Sequence, residues 1–298
     1  MSTAAIFDVT RFALHDGDGI RTTLFIKGCP LRCVWCHNPE GLSPGIRVWY
    51  TRNDCLGCRA CAGSCGLQAI SWGEEGVRVD HARCNLCGDC VKTCPAGALR
   101  FDGVHISAED AIAEIEKDMV FFGKDGGVTL SGGECMASPD FTLEVLTGCR
   151  QRGIGTNIET SLYASAETVE AIADLCDRVI ADIKLMDPVR HRAGTGVDNA
   201  LILSNIRRLA KRGTNLLLRT PLIPGYTDDP ENIAAIARFI AKLDADIPLE
   251  LLNFNPMFTG KYKALGLECK FSADKTEIPQ EWVDMLKQIV TDHGVRVL

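Results

Sequence analysis

The sequence predicts an α/β fold on a parallel sheet, either a barrel or a doubly wound sheet, split near its start by a small cysteine-rich domain. Two observations carry this. Beyond residue 104 short apolar runs alternate with amphipathic helical stretches, the pattern of successive strand–helix units. Between residues 50 and 104 that alternation stops and cysteines recur every three or four residues. With 298 residues, 46% of them hydrophobic, the chain can form a large α/β core with a smaller module attached.

The first predicted strand is "RTTLFIKG" (Arg21 to Gly28), immediately before a cysteine motif. After the insert come "GVTLSGG" (Gly127 to Gly133), "IGTNIET" (Ile154 to Thr160), "RVIADIK" (Arg178 to Lys184), "NLLLRTP" (Asn215 to Pro221) and "PLELLNF" (Pro248 to Phe254), all apolar enough for buried strands. The helix opening at "SAED" has Ser107 to cap it and Asp110 in its first turn. Its stripe is Ile112, Ile115 and Met119. Further helices are expected near 165–176, 199–212, 229–243 and 279–292. The divisions are therefore 1–49, the insert 50–104, and 105–298.

Composition excludes several functions. The net charge of −7 argues against a nucleic-acid or acidic-membrane binder. The start "MSTAAIFDVTRF" lacks a basic, then apolar, export signal, and no apolar run is long enough to span a membrane. The expectation is a cytoplasmic protein, and a monomer, because no amphipathic surface is left over.

Eleven of the fifteen cysteines fall into three clusters; Cys135, Cys149, Cys176 and Cys269 stand apart and read as small buried or surface residues. In a long chain without an export signal such clusters favour metal over disulfides. Cys55, Cys58, Cys61 and Cys65 are spaced x2, x2, x3, and so are Cys84, Cys87, Cys90 and Cys94. Each run resembles that of bacterial ferredoxins, where the fourth cysteine ligates the other cluster. The expected sets are Cys55, Cys58, Cys61 with Cys94, and Cys84, Cys87, Cys90 with Cys65. Pro95 follows the second run as in ferredoxins, but Gly66 follows the first. A pair of structural zinc sites is the competing reading, though zinc sites use paired cysteines rather than runs of four.

"GCPLRCVWCHNPEG" holds Cys29, Cys33 and Cys36 at x3 then x2 spacing. Three thiolates on a four-iron cubane leave one iron for a small molecule; a zinc ion borrowing a distant histidine is the alternative. The CxxxCxxC motif resembles that of radical S-adenosylmethionine enzymes. The longer stretch "VTRFALHDGDGIRTTLFIKGCPLRCVWCHNPEG" resembles the amino-terminal signature of glycyl radical enzyme activating enzymes, in the branch with a ferredoxin-like insert. The resemblance covers essentially the whole chain. It implies a partial, six-stranded (β/α) radical S-adenosylmethionine barrel, open on one side, with the inserted two-cluster domain.

The same resemblance distributes roles. Cys29, Cys33 and Cys36 would hold the catalytic 4Fe-4S cluster, and S-adenosylmethionine would chelate its open iron. Trp35 would pack near the adenine, while His37 shapes the loop. In "SGGE", Gly132, Gly133 and Glu134 would meet the cofactor's amino group; Cys135 stands where relatives often have proline. In "DIK", Asp182, Ile183 and Lys184 would make contacts with the cofactor, Lys184 balancing its carboxylate. Arg219, a lone inward arginine on the fifth strand, needs an anionic partner, for which the cofactor carboxylate is the candidate. Asn255 takes a place often held by histidine, keeping hydrogen-bonding capacity without titration. Glu159 and Asp182 would flank a monovalent cation. His15 and Asp16 would hold the partner's glycine-bearing peptide in a loop where Asp18 replaces the usual proline.

The implied activity is reductive cleavage of S-adenosylmethionine to methionine and a 5′-deoxyadenosyl radical, which takes hydrogen from a backbone glycine of a large glycyl radical enzyme. A flavodoxin or ferredoxin would supply the electron to a chain holding three 4Fe-4S clusters. The rivals are a sulfatase-maturing type of radical enzyme and a non-catalytic iron–sulfur electron carrier. The first would have longer carboxy-terminal cysteine motifs; the second leaves "SGGE" and "DIK" without purpose.

Overall fold

The structure, a computed structural model, describes residues 1–74, 76–271 and 277–298; Glu75, within the predicted insert, lies outside them. In chain order the elements begin with β1 (Thr3–Ala13) and β2 (Arg21–Ile26). The cysteine-rich segment contributes β3 (Val48–Tyr50), α1 (Ala60–Ser64), β4 (Ile70–Gly73), β5 (Gly76–Val79), α2 (Asp89–Thr93) and β6 (Leu99–Phe101). There follow β7 (Val104–Ser107), α3 (Ala108–Glu116), β8 (Gly127–Gly132), α4 (Pro139–Gln151), β9 (Gly155–Thr160), α5 (Ala166–Ala173), β10 (Arg178–Asp182), α6 (Pro188–Thr195) and α7 (Ala200–Lys211). The chain ends with β11 (Leu216–Pro221), α8 (Pro230–Leu243), β12 (Leu249–Leu252), α9 (Thr259–Leu265) and α10 (Gln280–Asp292).

An eight-stranded sheet runs β12-β11-β10-β9-β8-β2-β1-β7. The six strands from β2 to β12 in that order pair in parallel, and each is one of the predicted apolar runs. Their side chains Leu130, Ile158, Val179 and Leu218 are fully buried against Val145, Ile172, Ile206 and Ile236 of the covering helices. Burial on both faces explains the near-continuous apolar sequence of these strands. Caps fall where the sequence places them: Ser107 accepts from the Asp110 amide (3.1 Å) to start α3, and Asp229 accepts from the Asn232 amide (2.9 Å) to start α8.

Two strands extend the parallel set beyond expectation. β1 runs antiparallel to β2, and β7 antiparallel to β1, so the chain re-enters the main sheet directly after the cysteine-rich segment. Met119 is also corrected. α3 ends at Glu116, and Met119 begins a separate 3-10 turn in which it is exposed rather than core-facing.

Residues 48–101 have their own small sheets, β3 with β6 and β4 with β5. Their core is separate, built from Val48, Tyr50, Ile70, Val77, Ala98 and Leu99 together with Cys61 and Cys90. No helix among the described residues is long and apolar enough to cross a membrane.

Candidate functional site

The loop carrying Cys29, Cys33 and Cys36 leaves the carboxyl end of β2, where the parallel strands of an α/β sheet collect their functional loops. A seam of glycines draws it against the end of β8. The Gly28 amide donates to the Gly41 carbonyl and the Gly133 amide to the Ile26 carbonyl, each at 2.8 Å. A side chain on Gly133 would collide with the Gly41 and Gly28 carbonyls, and one on Gly132 with the Ile26 backbone. Both ends of the cysteine loop therefore meet "SGGE" backbone to backbone. As thiols the three cysteines are hard to ionise: burial pushes Cys29 and Cys36 up to about 12 and raises Cys33 as well. A metal taking them as thiolates must displace those protons.

Lys184 lies just past β10 with its ammonium 2.5 Å from Asp182 Oδ2. Burial acts to lower its pKa, but Asp182 and Cys33 outweigh it, so Lys184 stays charged beside the thiols. Asp182 and Lys184 thus share one face, as the strand period requires. Ile183 turns to the other: its side chain is buried in the helix-facing core, its amide donates to the Arg219 carbonyl (2.8 Å), and its carbonyl accepts from Thr220 Oγ1 (2.7 Å). Glu134, expected at the cofactor's amino group, has its side chain engaged within the chain. Its buried carboxylate accepts from Thr160 Oγ1 (2.7 Å), the Ser161 amide (2.8 Å), Ser161 Oγ (2.5 Å) and the Met136 amide (3.1 Å). It braces the end of β8 to the end of β9. Cys135 is wholly buried, its thiol against Glu134 and the Glu159 carbonyl, and burial holds its pKa well up.

Arg219 is on β11 as expected, but its anionic partners come from the chain. Nη1 pairs with Glu159, Nε with Glu250 Oε2 (2.5 Å), and Nη2 donates to the His15 carbonyl (2.7 Å). Glu159 also accepts from Ser131 Oγ (2.7 Å); burial raises its pKa against the opposing pull of Arg219. Through Arg219 the strands hold the 14–20 loop. Asp16 accepts from Thr23 Oγ1 (2.5 Å) by its carboxylate and from Thr129 Oγ1 (2.7 Å) by its carbonyl. Asp18, standing for the usual proline, pairs with Arg178 at 2.7 Å, an ionic tether in place of a stiff ring.

Trp35 is buried in an aromatic cluster with Phe254, Phe258, Tyr262 and Phe271, its ring 5.0 Å from that of Tyr226. It presses on Gly194, where a side chain would strike the indole. His37 stacks on Phe258 with centroids 4.5 Å apart, and burial pushes its pKa down to about 4. Its buried Nε2 has no partner, an orphaned polar atom beside the cysteine loop. Asn255 is exposed and caps its own turn, accepting from the Met257 amide (3.0 Å).

Sequence reasoning passed over the residues that fix this loop from below. Lys27, fully buried, donates to the Glu40 carbonyl and to Asp102 Oδ2 (3.0 Å). From α9, Lys261 reaches Asn38 Oδ1 (2.9 Å) and Glu40 Oε1 (2.7 Å), and the Tyr262 hydroxyl donates to the Cys36 carbonyl (3.0 Å). The only sequence signal is a lysine inside an apolar strand end.

In the cysteine-rich segment two cavities divide the eight cysteines. One is lined by Cys55, Cys58, Cys61 and Cys94, the other by Cys65, Cys84, Cys87 and Cys90. Among the described residues no three His, Cys, Asp or Glu side chains converge as one bound ion would need. Four thiols spread around a cavity, with backbone amides at 3.4 Å from Cys55 Sγ and 3.2 Å from Cys65 Sγ, have the donor chemistry of a cubane site.

The chain matches the model described as Radical SAM superfamily over residues 23–237. An indoleacetate decarboxylase activating enzyme of Tractidigestivibacter scatoligenes is 35% identical, over 99% of this chain and 96% of that protein. A 4-hydroxyphenylacetate decarboxylase activating enzyme of Clostridium scatologenes is 36% identical, over 97% and 95%. Among solved structures, Streptococcus suis SuiB bound to precursor peptide SuiA aligns over 90% of this chain and 46% of that one. Its TM-score is 0.51 at 12% identity, a likeness of fold.

Proposed function

The chain belongs to the radical SAM superfamily, and from that premise we propose that it activates a glycyl radical enzyme. The carrying observation is the full-length similarity to activating enzymes, joined to a three-cysteine loop seamed onto "SGGE". A 4Fe-4S cluster on Cys29, Cys33 and Cys36 with S-adenosylmethionine would supply a 5′-deoxyadenosyl radical that takes hydrogen from a backbone glycine of the partner.

The chain's own residues then bind, orient and exclude water. Gly132 and Gly133 would meet the cofactor's amino group by their backbone. Lys184, charged and steadied by Asp182, would balance its carboxylate. Arg219 holds Glu159 and the His15–Asp16 loop in place, so its contribution is to position the substrate loop, and a monovalent cation would sit between Glu159 and Asp182. Trp35 and His37 wall the adenine side with Asn255 at its rim.

In this reading residues 50–104 are a ferredoxin-like domain within a partial barrel formed by 1–49 and 105–298. Its two 4Fe-4S clusters take Cys55, Cys58, Cys61 with Cys94, and Cys84, Cys87, Cys90 with Cys65. A flavodoxin or ferredoxin reduces the monomeric enzyme in the cytoplasm, and a large glycyl radical enzyme presents its glycine loop.

The test is anaerobic. The reduced, reconstituted enzyme is given S-adenosylmethionine and a candidate partner, then assayed for 5′-deoxyadenosine and a glycyl doublet by electron paramagnetic resonance. Both are expected, and both should vanish in Cys33→Ala. Cofactor cleavage without a glycyl signal on any partner points to another radical substrate; no cleavage by a fully loaded enzyme ends the catalytic reading.

A further inference from the structure

We propose that the two cysteine sets of the insert are unequal: Cys65, Cys84, Cys87 and Cys90 form the inner set, held toward the catalytic loop, and Cys55, Cys58, Cys61 and Cys94 the outer. The proposal rests on the iron–sulfur reading above and adds an order to it.

The insert joins the main sheet at Arg47, before β3, and at Asp102, after β6. One buried lysine pins both ends. Lys27, two residues before Cys29, donates to Asp102 Oδ2 (3.0 Å), while Asp102 Oδ1 accepts from the Arg47 amide (2.7 Å). The same ammonium donates to the Glu40 carbonyl at the far end of the cysteine loop. Gly103 seals the joint: a side chain there would meet the Ile6 carbonyl and the Lys27 stem. α9 wedges the other side, packing on β3 and on the 39–41 turn while Tyr262 holds the Cys36 carbonyl.

Register gives the direction outward from this joint. Val48 pairs with Phe101 at its base, and Tyr50 pairs with Leu99 two residues further out, roughly 7 Å along an extended strand. The cavity of Cys65, Cys84, Cys87 and Cys90 is lined by Val48. Gly88, in the same wall, lies against the Phe101 ring. The cavity of Cys55, Cys58, Cys61 and Cys94 is lined instead by Tyr50 and Leu99, at the outer end. One electron from a low-potential iron–sulfur or flavin donor would make its last stop at the inner set before Cys29, Cys33 and Cys36. The donor is oxidised by one electron, the catalytic site is reduced by one, and the inner set returns to its starting state.

The test reads magnetism. Holoprotein is reduced with dithionite, and the catalytic signal is identified by its change on adding S-adenosylmethionine. Its spin relaxation is compared in wild type, Cys87→Ala and Cys58→Ala. Loss of the inner neighbour should slow relaxation of the catalytic signal several-fold, and loss of the outer one should leave it near wild type. An equal effect, or a larger one from Cys58→Ala, overturns the order. Should Cys87→Ala not fold, the paired variant Lys27→Met, Asp102→Asn keeps every cysteine and leaves no charge buried alone. It should weaken coupling between the catalytic and inner signals while sparing that between the insert's two signals; unchanged coupling to the catalytic site overturns the proposal. Iron content separates this from the reading beneath it: a wild-type chain holding one cluster's worth of iron overturns that reading, whereas three clusters with reversed coupling overturn only the order.

Discussion

A buried arginine must meet negative charge, and the sequence argument for Arg219 rests on that requirement. The chain meets it with Glu159 and Glu250, the second of which no local pattern marks, because it faces Arg219 only through the register of β11 with β12. The cysteine clusters are legible because short spacing marks them; the partners of Arg219 were not, because they lie 31 and 60 residues away. Lys27 and Asp102 are a second instance, a buried pair 75 residues apart. His191 on α6 yields a prediction at this scale. It is buried with Nδ1 2.7 Å from the Val197 carbonyl, and burial lowers its pKa below the ordinary 6.5. As pH falls the unfolded chain takes the proton first. The contribution of neutral His191 is therefore complete above pH 6.5 and is lost as pH drops toward the folded value. Thermal unfolding from pH 7.5 to 5 should show Tm falling more steeply in wild type than in His191→Asn; parallel slopes would refute it.

The six parallel strands could be read from their apolar runs because they are covered on both faces. β1 could not. Its burial follows no clean alternation, and two register irregularities against β2 break the period that would betray it. α9 has seven residues, too few to show a helical stripe, yet it touches both the catalytic loop and the insert. The glycine seam is where element geometry decides function. Gly133→Ala puts a methyl group against two carbonyls and must push the cysteine loop off β8. Iron content after reconstitution should fall by one cluster's worth, and cleavage of S-adenosylmethionine should fall at least tenfold. A variant with full iron and wild-type cleavage would show that the seam is dispensable.

At the scale of the molecule, the sequence changes texture at residue 50 and returns to strand–helix alternation near 104, and the small separate sheets of that stretch run from Val48 to Phe101. The joint between the two bodies was hidden, because a lysine and an aspartate buried together look like surface residues when read apart. The insert's core is small, and two of its eight buried members are cysteines, with Cys55, Cys65, Cys84 and Cys94 packed beside them. So little apolar surface would leave this segment dependent on the proposed clusters for its stability. Anaerobic chelation should open residues 48–101 to protease while the main sheet stays protected; equal resistance with and without iron would contradict this. One further consequence lies in how the two cavities share cysteines. The cavity that Cys55, Cys58 and Cys61 begin is closed by Cys94, and Cys65 is set aside for the other. During synthesis, then, the first three thiols leave the ribosome with no means of completing their site. The fourth arrives only after the whole second run has emerged, so if the cavities hold the proposed clusters, neither can be filled before both halves are made.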